Sequence, residues 1–131
     1  MTKKEKKQDA AAGHRILIIE DNRNNFILMQ RVLERHNHIV MHAEDGETGL
    51  EMALSERPDL ILLDLGLPDV DGQTIAAWLK RPGNLPDTPL ILVTAWPVET
   101  AREMSEAYGC DGYISKPINT REFHDQVINF I

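Results

Sequence analysis

The sequence predicts a single α/β domain with a doubly wound, five-stranded parallel sheet and five helices. Three runs of four aliphatic residues are apolar at every position, namely residues 16–19, 60–63 and 90–93. Strands of this kind are usually buried on both faces, as in parallel sheets that helices cover on both sides. Helix-like segments alternate with the runs, and 131 residues are enough for one domain with a proper core.

The first half of the chain adds two helices and a strand to these runs. An apolar stripe at helical spacing predicts a helix that continues through about His36. A short strand is expected at 39–43, followed by a helix at 47–56 that ends before Pro58. The stripe of the first helix consists of Leu28, Met29, Val32 and Leu33.

The second half continues the alternation. A helix at 75–80 is interrupted by Pro82, and a further helix runs from Pro97 in its first turn to about Tyr108. A short strand is predicted at 111–115. The last helix has a capping pattern in Asn119 and Glu122, and an apolar stripe in Phe123, Val127, Ile128 and Ile131.

Polar side chains stand where the three aliphatic runs end. Glu20 and Asp21 follow the first run, Asp64 the second and Thr94 the third. Because ligands of such sheets bind beyond the carboxyl ends of the strands, these groups are expected to converge on one patch. Carboxylates so close repel one another, and a shared cation is the usual remedy.

With these residues in place, the chain resembles a known family over about residues 14–131. The motifs are Glu20-Asp21-Asn22, the segment from Asp64 to Gly72, Thr94-Ala95 and Lys116-Pro117. In this order they are similar to the signature of the response-regulator receiver domain, and most similar to the single-domain DivK-like and CheY-like regulators. The resemblance implies a flavodoxin- and CheY-like three-layer sandwich with strand order 2-1-3-4-5.

The resemblance also implies a chemistry for the polar patch. Asp64 would accept a phosphoryl group from a histidine kinase or a histidine phosphotransfer protein, with Mg²⁺ as the cofactor. Asp21 and Asp64 would bind the metal directly, Glu20 through water, and Gly66 through its backbone carbonyl. Neutralising charge in this way makes a carboxylate a competent nucleophile towards an anionic donor.

Four further residues would contact or report the phosphoryl group. Lys116 would pair with one phosphoryl oxygen, its orientation set by a cis bond to Pro117. Thr94, followed by Ala95, would hydrogen-bond another oxygen, and Tyr113 would swing inward behind it. Alternatively, Tyr113 is a half-buried strand residue that does not switch.

The surface expected to change is the fourth helix, fifth strand and fifth helix, at about residues 97–131. It would contact a downstream effector protein, and the same face could serve a weak homodimer. Phosphorylation supplies the switch because it adds up to two negative charges.

Composition limits the remaining partners. Without the lysine-rich polar leader at 1–13, which we predict to be disordered, the chain has 10 Lys and Arg against 19 Asp and Glu, a net charge of −9. Such a domain repels phosphate backbones, which argues against nucleic acid. No apolar run could span a bilayer, so we expect no membrane contact and a cytoplasmic location.

Other functions remain open from the sequence. A Mg²⁺-dependent phosphohydrolase could also form an aspartyl phosphate, but Gly66 stands where such enzymes carry a second aspartate, so no turnover on an external substrate is expected. A pseudo-receiver that binds without phosphorylation is another alternative. The chain could also be a receiver from a larger hybrid kinase or transcription factor.

Three smaller expectations complete the reading. Gly66 offers no side chain to hold an attacking water, and bulky Trp96 could shield the phosphoryl group, which together suggest a long-lived phospho-form. His36, His38 and His42 are expected to be exposed, because no further ligand completes a metal site. The single cysteine, Cys110, is expected to be buried or half-buried.

Overall fold

A computed structural model describes residues 13–131, and all of the predicted leader except Gly13 lies outside this range. The described chain alternates strands and helices from start to end. The strands are β1 (Arg15–Ile19), β2 (Ile39–Ala43), β3 (Leu60–Asp64), β4 (Leu90–Thr94) and β5 (Gly112–Ser115). The helices are α1 (Arg23–Arg35), α2 (Gly46–Glu56), α3 (Gly72–Leu79), α4 (Val98–Ala107) and α5 (Phe123–Ile128). None of these five helices is long and apolar enough to cross a membrane.

The five strands form one parallel sheet in the order β2-β1-β3-β4-β5, which confirms the predicted fold class. The register brings the strand ends level. Ile19 pairs with Leu63, Asp64 pairs with Val93, and Thr94 pairs with Ser115. The carboxyl ends of β1, β3 and β4 therefore meet at one edge.

Alternate residues of the central strands enter two separate cores. On β1, Ile16 and Ile18 join the core under α1 and α5, while Leu17 and Ile19 join the core under α2 and α3. Each fully buried aliphatic side chain contributes about 1.5–3 kcal/mol of hydrophobic stabilisation. The unbroken apolar runs are explained by this arrangement, because neither face of the strand meets water.

Three helices differ in detail from the sequence expectation, and the first difference is that α3 begins at Gly72 rather than at residue 75. In α1 the buried face is completed by Phe26, whereas Leu28 of the predicted stripe is 40% exposed. The final regular helix begins at Phe123 rather than after Asn119, although Asn119 Oδ1 accepts a hydrogen bond from the Arg121 N–H at 3.0 Å. The segment 119–122 is thus a capped turn that leads into α5.

Cys110 lies just before β5 and is half-buried, as expected. Its side chain packs against the core under α2 and α3. Burial raises the pKa of the Cys110 thiol to about 12, and the charge of Asp111 adds to the shift. The thiol is therefore almost entirely protonated at neutral pH.

Candidate functional site

Three carboxylates meet at the carboxyl edge of the sheet. Asp64 is the last residue of β3, and Glu20 and Asp21 directly follow β1. Each offers a carboxylate oxygen within 4.8 Å of the others. Asp64 and Glu20 are buried, at 6% and 1% exposure, whereas Asp21 is exposed. The site thus has two carboxylates that are buried and one that is open to solvent.

Lys116 provides the positive charge of this edge. Its Nζ lies 3.0 Å from Oδ1 of Asp64 and 2.9 Å from Oε1 of Glu20. The backbone N–H of Lys116 donates to the carbonyl of Thr94 at 2.8 Å, which joins the residue to the end of β4. The peptide bond between Lys116 and Pro117 is cis. One ammonium group therefore faces two buried carboxylates.

The pKa values of these three groups are shifted by their mutual contact. Burial raises the pKa of Glu20 to about 7, helped by its hydrogen bond to Asp64 and opposed by Lys116. Burial also acts to raise the pKa of Asp64, but hydrogen bonds from Glu20, the Gly66 N–H and Lys116 outweigh it, so that pKa is lowered. Burial acts to lower the pKa of Lys116, but Glu20 and Asp64 raise it. Asp64 is thus the carboxylate that stays charged.

One atom of the site lacks a hydrogen-bond partner among residues 13–131. Oε1 of Glu20 is buried and accepts no hydrogen bond there, although Lys116 Nζ is at ion-pair distance. The other oxygen, Oε2, accepts from the Asn22 N–H at 3.2 Å. A buried unsatisfied carboxylate oxygen costs free energy, and a cation or its water would satisfy it. The donor set, all oxygen, suits Mg²⁺.

Gly66 stands two residues after Asp64 in the loop between β3 and α3. Its backbone N–H donates to Asp64 Oδ1 at 3.2 Å, which fixes the start of that loop against the carboxylate. Gly66 itself is exposed. The Gly66 carbonyl therefore belongs to the residue whose N–H is hydrogen-bonded to the Asp64 carboxylate.

The predicted phosphoryl-binding and switch residues lie on β4 and β5. Thr94 is 2% exposed, and its Oγ1 accepts a hydrogen bond from the Trp96 N–H at 3.1 Å. Ala95 is exposed at the end of β4, and Trp96 is 50% exposed. Tyr113 is half-buried in β5, where it pairs with Leu92 in register. Thr94 thus lies at the carboxyl end of β4, on the acidic edge, whereas Tyr113 lies two residues before the carboxyl end of β5.

The histidines differ from the sequence expectation. His42 is half-buried, with its ring stacked on Phe26 at 3.6 Å between centroids and its Nε2 2.8 Å from the carbonyl oxygen of Glu20. His38 is 5% exposed and contacts His124. The expectation that both would be exposed was wrong, because their partners come from distant parts of the chain. His36 is exposed, as expected.

Fold and site together define a class of signalling domain, a doubly wound sheet of order 2-1-3-4-5 with a buried aspartate, two acidic neighbours and a lysine at its carboxyl edge. Residues 16–128 match the response regulator receiver domain, and the chain belongs to that family. It is accordingly a receiver domain of two-component signalling, similar to DivK and CheY.

Individual relatives support this assignment. The polar-differentiation response regulator DivK of Brucella anthropi is 34% identical over 116 residues, which is 88% of this chain and 94% of that protein. A second relative is the receiver domain of sensor histidine kinase PA1611 from Pseudomonas aeruginosa, whose structure contains magnesium in the active site cleft. It is 28% identical to this chain, with a TM-score of 0.81, and the match covers 91% of this chain and 98% of that one. The chemotaxis regulator CheY4 of Vibrio cholerae has the same fold, with 20% identity, a TM-score of 0.85 and coverage of 91% and 99%.

Proposed function

We propose that this protein is a phosphoacceptor in a two-component or phosphorelay system, and that Asp64 takes a phosphoryl group from a phosphohistidine. The donor would be a histidine kinase or a histidine phosphotransfer protein. The observation that carries the proposal is the Asp64 carboxylate, buried to 6% exposure and kept ionised beside Lys116 at 3.0 Å. A buried aspartate in this state is a nucleophile in position rather than a helix cap.

The acidic edge fits a divalent cation. Asp21 and Asp64 would hold it directly, Glu20 through water and Gly66 through its carbonyl. This set is supported by the three carboxylates, whose oxygens lie within 4.8 Å of one another, and by Oε1 of Glu20, which accepts no hydrogen bond within the described part of the chain. Mg²⁺ bound there would neutralise charge on the donor and orient its oxygens.

Each residue of the site would have its own role in the transfer of the phosphoryl group. An oxygen of Asp64 forms a bond to phosphorus as the bond from phosphorus to the donor imidazole nitrogen breaks, and the bonding pair stays on that nitrogen. Lys116, released from Asp64 Oδ1, pairs with a phosphoryl oxygen. Thr94, with the adjacent Ala95, binds another oxygen once its hydroxyl leaves the Trp96 N–H. Catalysis is positioning and charge stabilisation, with no turnover on an external substrate.

The output would follow from the Thr94 hydroxyl. In its present position Oγ1 accepts from Trp96, directly before α4. Movement of this hydroxyl towards a phosphoryl group would release the Trp96 N–H, and Tyr113 would swing inward behind it. The surface of α4, β5 and α5 would then change for a downstream effector protein, or for a weak homodimer through the same face.

Intact mass spectrometry with acetyl phosphate and Mg²⁺ tests this function. We expect one added phosphoryl group, which does not form when Mg²⁺ is chelated before the donor is added and is absent in Asp64→Asn. A matched control is Asp59→Asn, at the other end of the β3 segment, where Asp59 accepts a hydrogen bond from Arg15. This control should still be phosphorylated.

Two results would contradict the proposal. Phosphorylation of Asp64→Asn at the wild-type level would place the acceptor elsewhere. Absence of any adduct in the wild type with acetyl phosphate, a small phosphodonor that needs no partner kinase, would favour a pseudo-receiver.

A further inference from the structure

Asp69 joins the loop between β3 and α3 to the start of a different helix. Its Oδ1 accepts a hydrogen bond from the Gly46 N–H at 2.8 Å, and its Oδ2 accepts from the Glu47 N–H at 3.0 Å. Gly46 and Glu47 are the first two residues of α2. These bonds lower the pKa of the Asp69 carboxyl, so it is ionised at neutral pH. A side chain 23 residues away thus caps α2.

The same helix also has a cap of its own. Asp45 precedes α2 and accepts a hydrogen bond from the Thr48 N–H at 2.7 Å. Asp45 and Asp69 therefore use different N–H groups of one helix end. The helix does not need Asp69 in order to begin at Gly46, so the remote contact must serve the loop as much as the helix.

Close packing shows that the loop is seated on α2. A Cβ atom on Gly46 would lie 2.9 Å from Cβ of Val70 and 3.2 Å from Oδ1 of Asp69, distances that an alanine could not keep. At the other end of the loop, the side chain of Leu65 occupies the space beside Gly72 where a Cβ would stand. The segment 65–71 is therefore held at two points, and Gly66 lies between them.

We propose that Asp69 is a positioning residue for the phosphorylation site. By tying the loop to α2 it holds the Gly66 carbonyl where that group can serve as a metal ligand. This inference rests on the proposed function. Residues that orient a ligand commonly change metal affinity about 10–100-fold when they are removed, because the ligand must then be ordered at the moment of binding.

A comparison of Asp69→Ala with Asp45→Ala tests the inference. Each variant removes one side-chain cap from the same end of α2, so each should lower the unfolding temperature by a similar amount. Only Asp69→Ala releases the loop. We expect its Kd for Mg²⁺, measured by titration calorimetry, to rise on the order of tenfold. Asp45→Ala should keep the wild-type Kd.

A second measurement needs no metal. In the presence of EDTA, amide hydrogen exchange at residues 66, 67 and 69–71 should be faster in Asp69→Ala and unchanged in Asp45→Ala. Asp69→Asn, which keeps one acceptor oxygen and disturbs folding least, should lie between the wild type and Asp69→Ala in both measurements.

The outcomes separate this inference from the proposed function. If the wild type binds no Mg²⁺, the proposed function fails. If the wild type binds Mg²⁺ and Asp69→Ala binds it equally well, the proposed function stands and the positioning role of Asp69 is refuted. An equal loss of affinity in both alanine variants would refute it too, because the effect would then come from α2 alone.

Discussion

Titratable side chains lie close together at both the carboxyl edge and the amino edge of the sheet. Their contacts at the carboxyl edge are ion pairs, whereas those at the amino edge are mainly between histidine rings. At the carboxyl edge, Lys116 forms ion pairs with Glu20 and Asp64, and Oε1 of Glu20 accepts no hydrogen bond from residues 13–131. Beside the amino edge, four histidines surround a groove of about 490 Å³. They are His14 before β1, His36 at the end of α1, His38 before β2 and His124 in α5.

The hydrogen bonds of His38 in the histidine cluster can all form when the rings are neutral. Nδ1 of His38 accepts a hydrogen bond from the backbone N–H of His14 at 2.9 Å, so the proton of a neutral His38 is assigned to Nε2. That nitrogen lies 2.9 Å from Nε2 of His124, which then acts as the acceptor. The ring of His36 stacks on His124 at 3.6 Å. A proton on His38 or His124 would place two donors face to face.

The two edges differ in their balance of charge. The carboxyl edge has three acidic side chains, Glu20, Asp21 and Asp64, beside one cationic side chain, Lys116. At the amino edge the histidines contact one another in an arrangement that suits neutral rings, although Arg35, Asp59 and Asp125 lie around them. The contacts of His124 with His36 and His38 join α5 to the end of α1 and the start of β2.

Removal of the lysine should have the largest effect of the three changes that probe this comparison. Lys116→Met leaves Glu20 and Asp64 without a cationic partner, and breaking a buried ion pair costs about 3–5 kcal/mol. Urea unfolding in EDTA should show this loss, and Mg²⁺ should restore part of it. Adding Asp64→Asn should reduce the loss, since one buried charge is then gone. Equal stability of Lys116→Met and wild type in EDTA would contradict the account of this edge.

Acid should weaken the amino edge to a smaller extent. Burial lowers the pKa of His38 to about 4, and the neighbouring His124, His14 and His36 add to the shift. The unfolded chain binds a proton at His38 near pH 6.5, whereas the folded chain does not, so stability falls as pH drops from about 6.5 towards 4. Allowing for screening, we expect about 1 kcal/mol between pH 7 and pH 5.

His38→Asn isolates this contribution, because asparagine can accept from the His14 N–H but does not titrate. The difference in unfolding free energy between wild type and variant should narrow as pH falls. A constant difference from pH 7 to pH 5 would show that His38 carries none of the acid sensitivity. Charged groups around the cluster include Arg35, which lines the same groove, Asp59, 3.8 Å from His14 Nδ1, and Asp125, 3.8 Å from His124 Nδ1.

The smallest effect concerns the lifetime of the phospho-form at the carboxyl edge. Trp96 is 50% exposed and its N–H donates to Thr94. If its ring shields the phosphoryl group, Trp96→Ala should shorten the half-life of purified phospho-protein several-fold, as followed by intact mass after the donor is removed. Val98→Ala, equally exposed at 50% and in the same segment, is the control and should leave the half-life unchanged. Identical half-lives for the wild type and both variants would show that the Trp96 ring does not shield the phosphoryl group.

Local sequence patterns were enough for the sheet and the acidic edge. The runs ending at Glu20, Asp64 and Thr94 predict buried parallel strands, and parallel strands place their carboxyl ends together, so the convergence follows from topology. Resemblance to receiver domains then supplied Lys116, which precedes Pro117 and has no strong signal of its own. Strand β2 was predicted with the bounds that the structure shows, at 39–43.

Contacts between distant segments could not be obtained in this way. His14, His36, His38 and His124 are brought together by the packing of α5 on α1, which no periodicity in the sequence encodes. Asp69 was assigned to a turn because it lies among Pro68, Asp71 and Gly72, and nothing local indicates that it reaches α2. Phe26 and Leu28 are two residues apart, about 200° around one helix, and only the position of the core decides which of them is buried.

The half-buried Cys110 has a practical consequence for labelling. A thiol whose pKa is raised to about 12 presents almost no thiolate to a maleimide or a nitroxide reagent at neutral pH. A second cysteine placed on an exposed position of α4 would react first, with the natural cysteine left in place. The chain is thus suited to carry a single fluorescent or spin probe on the surface where a response to phosphorylation is expected.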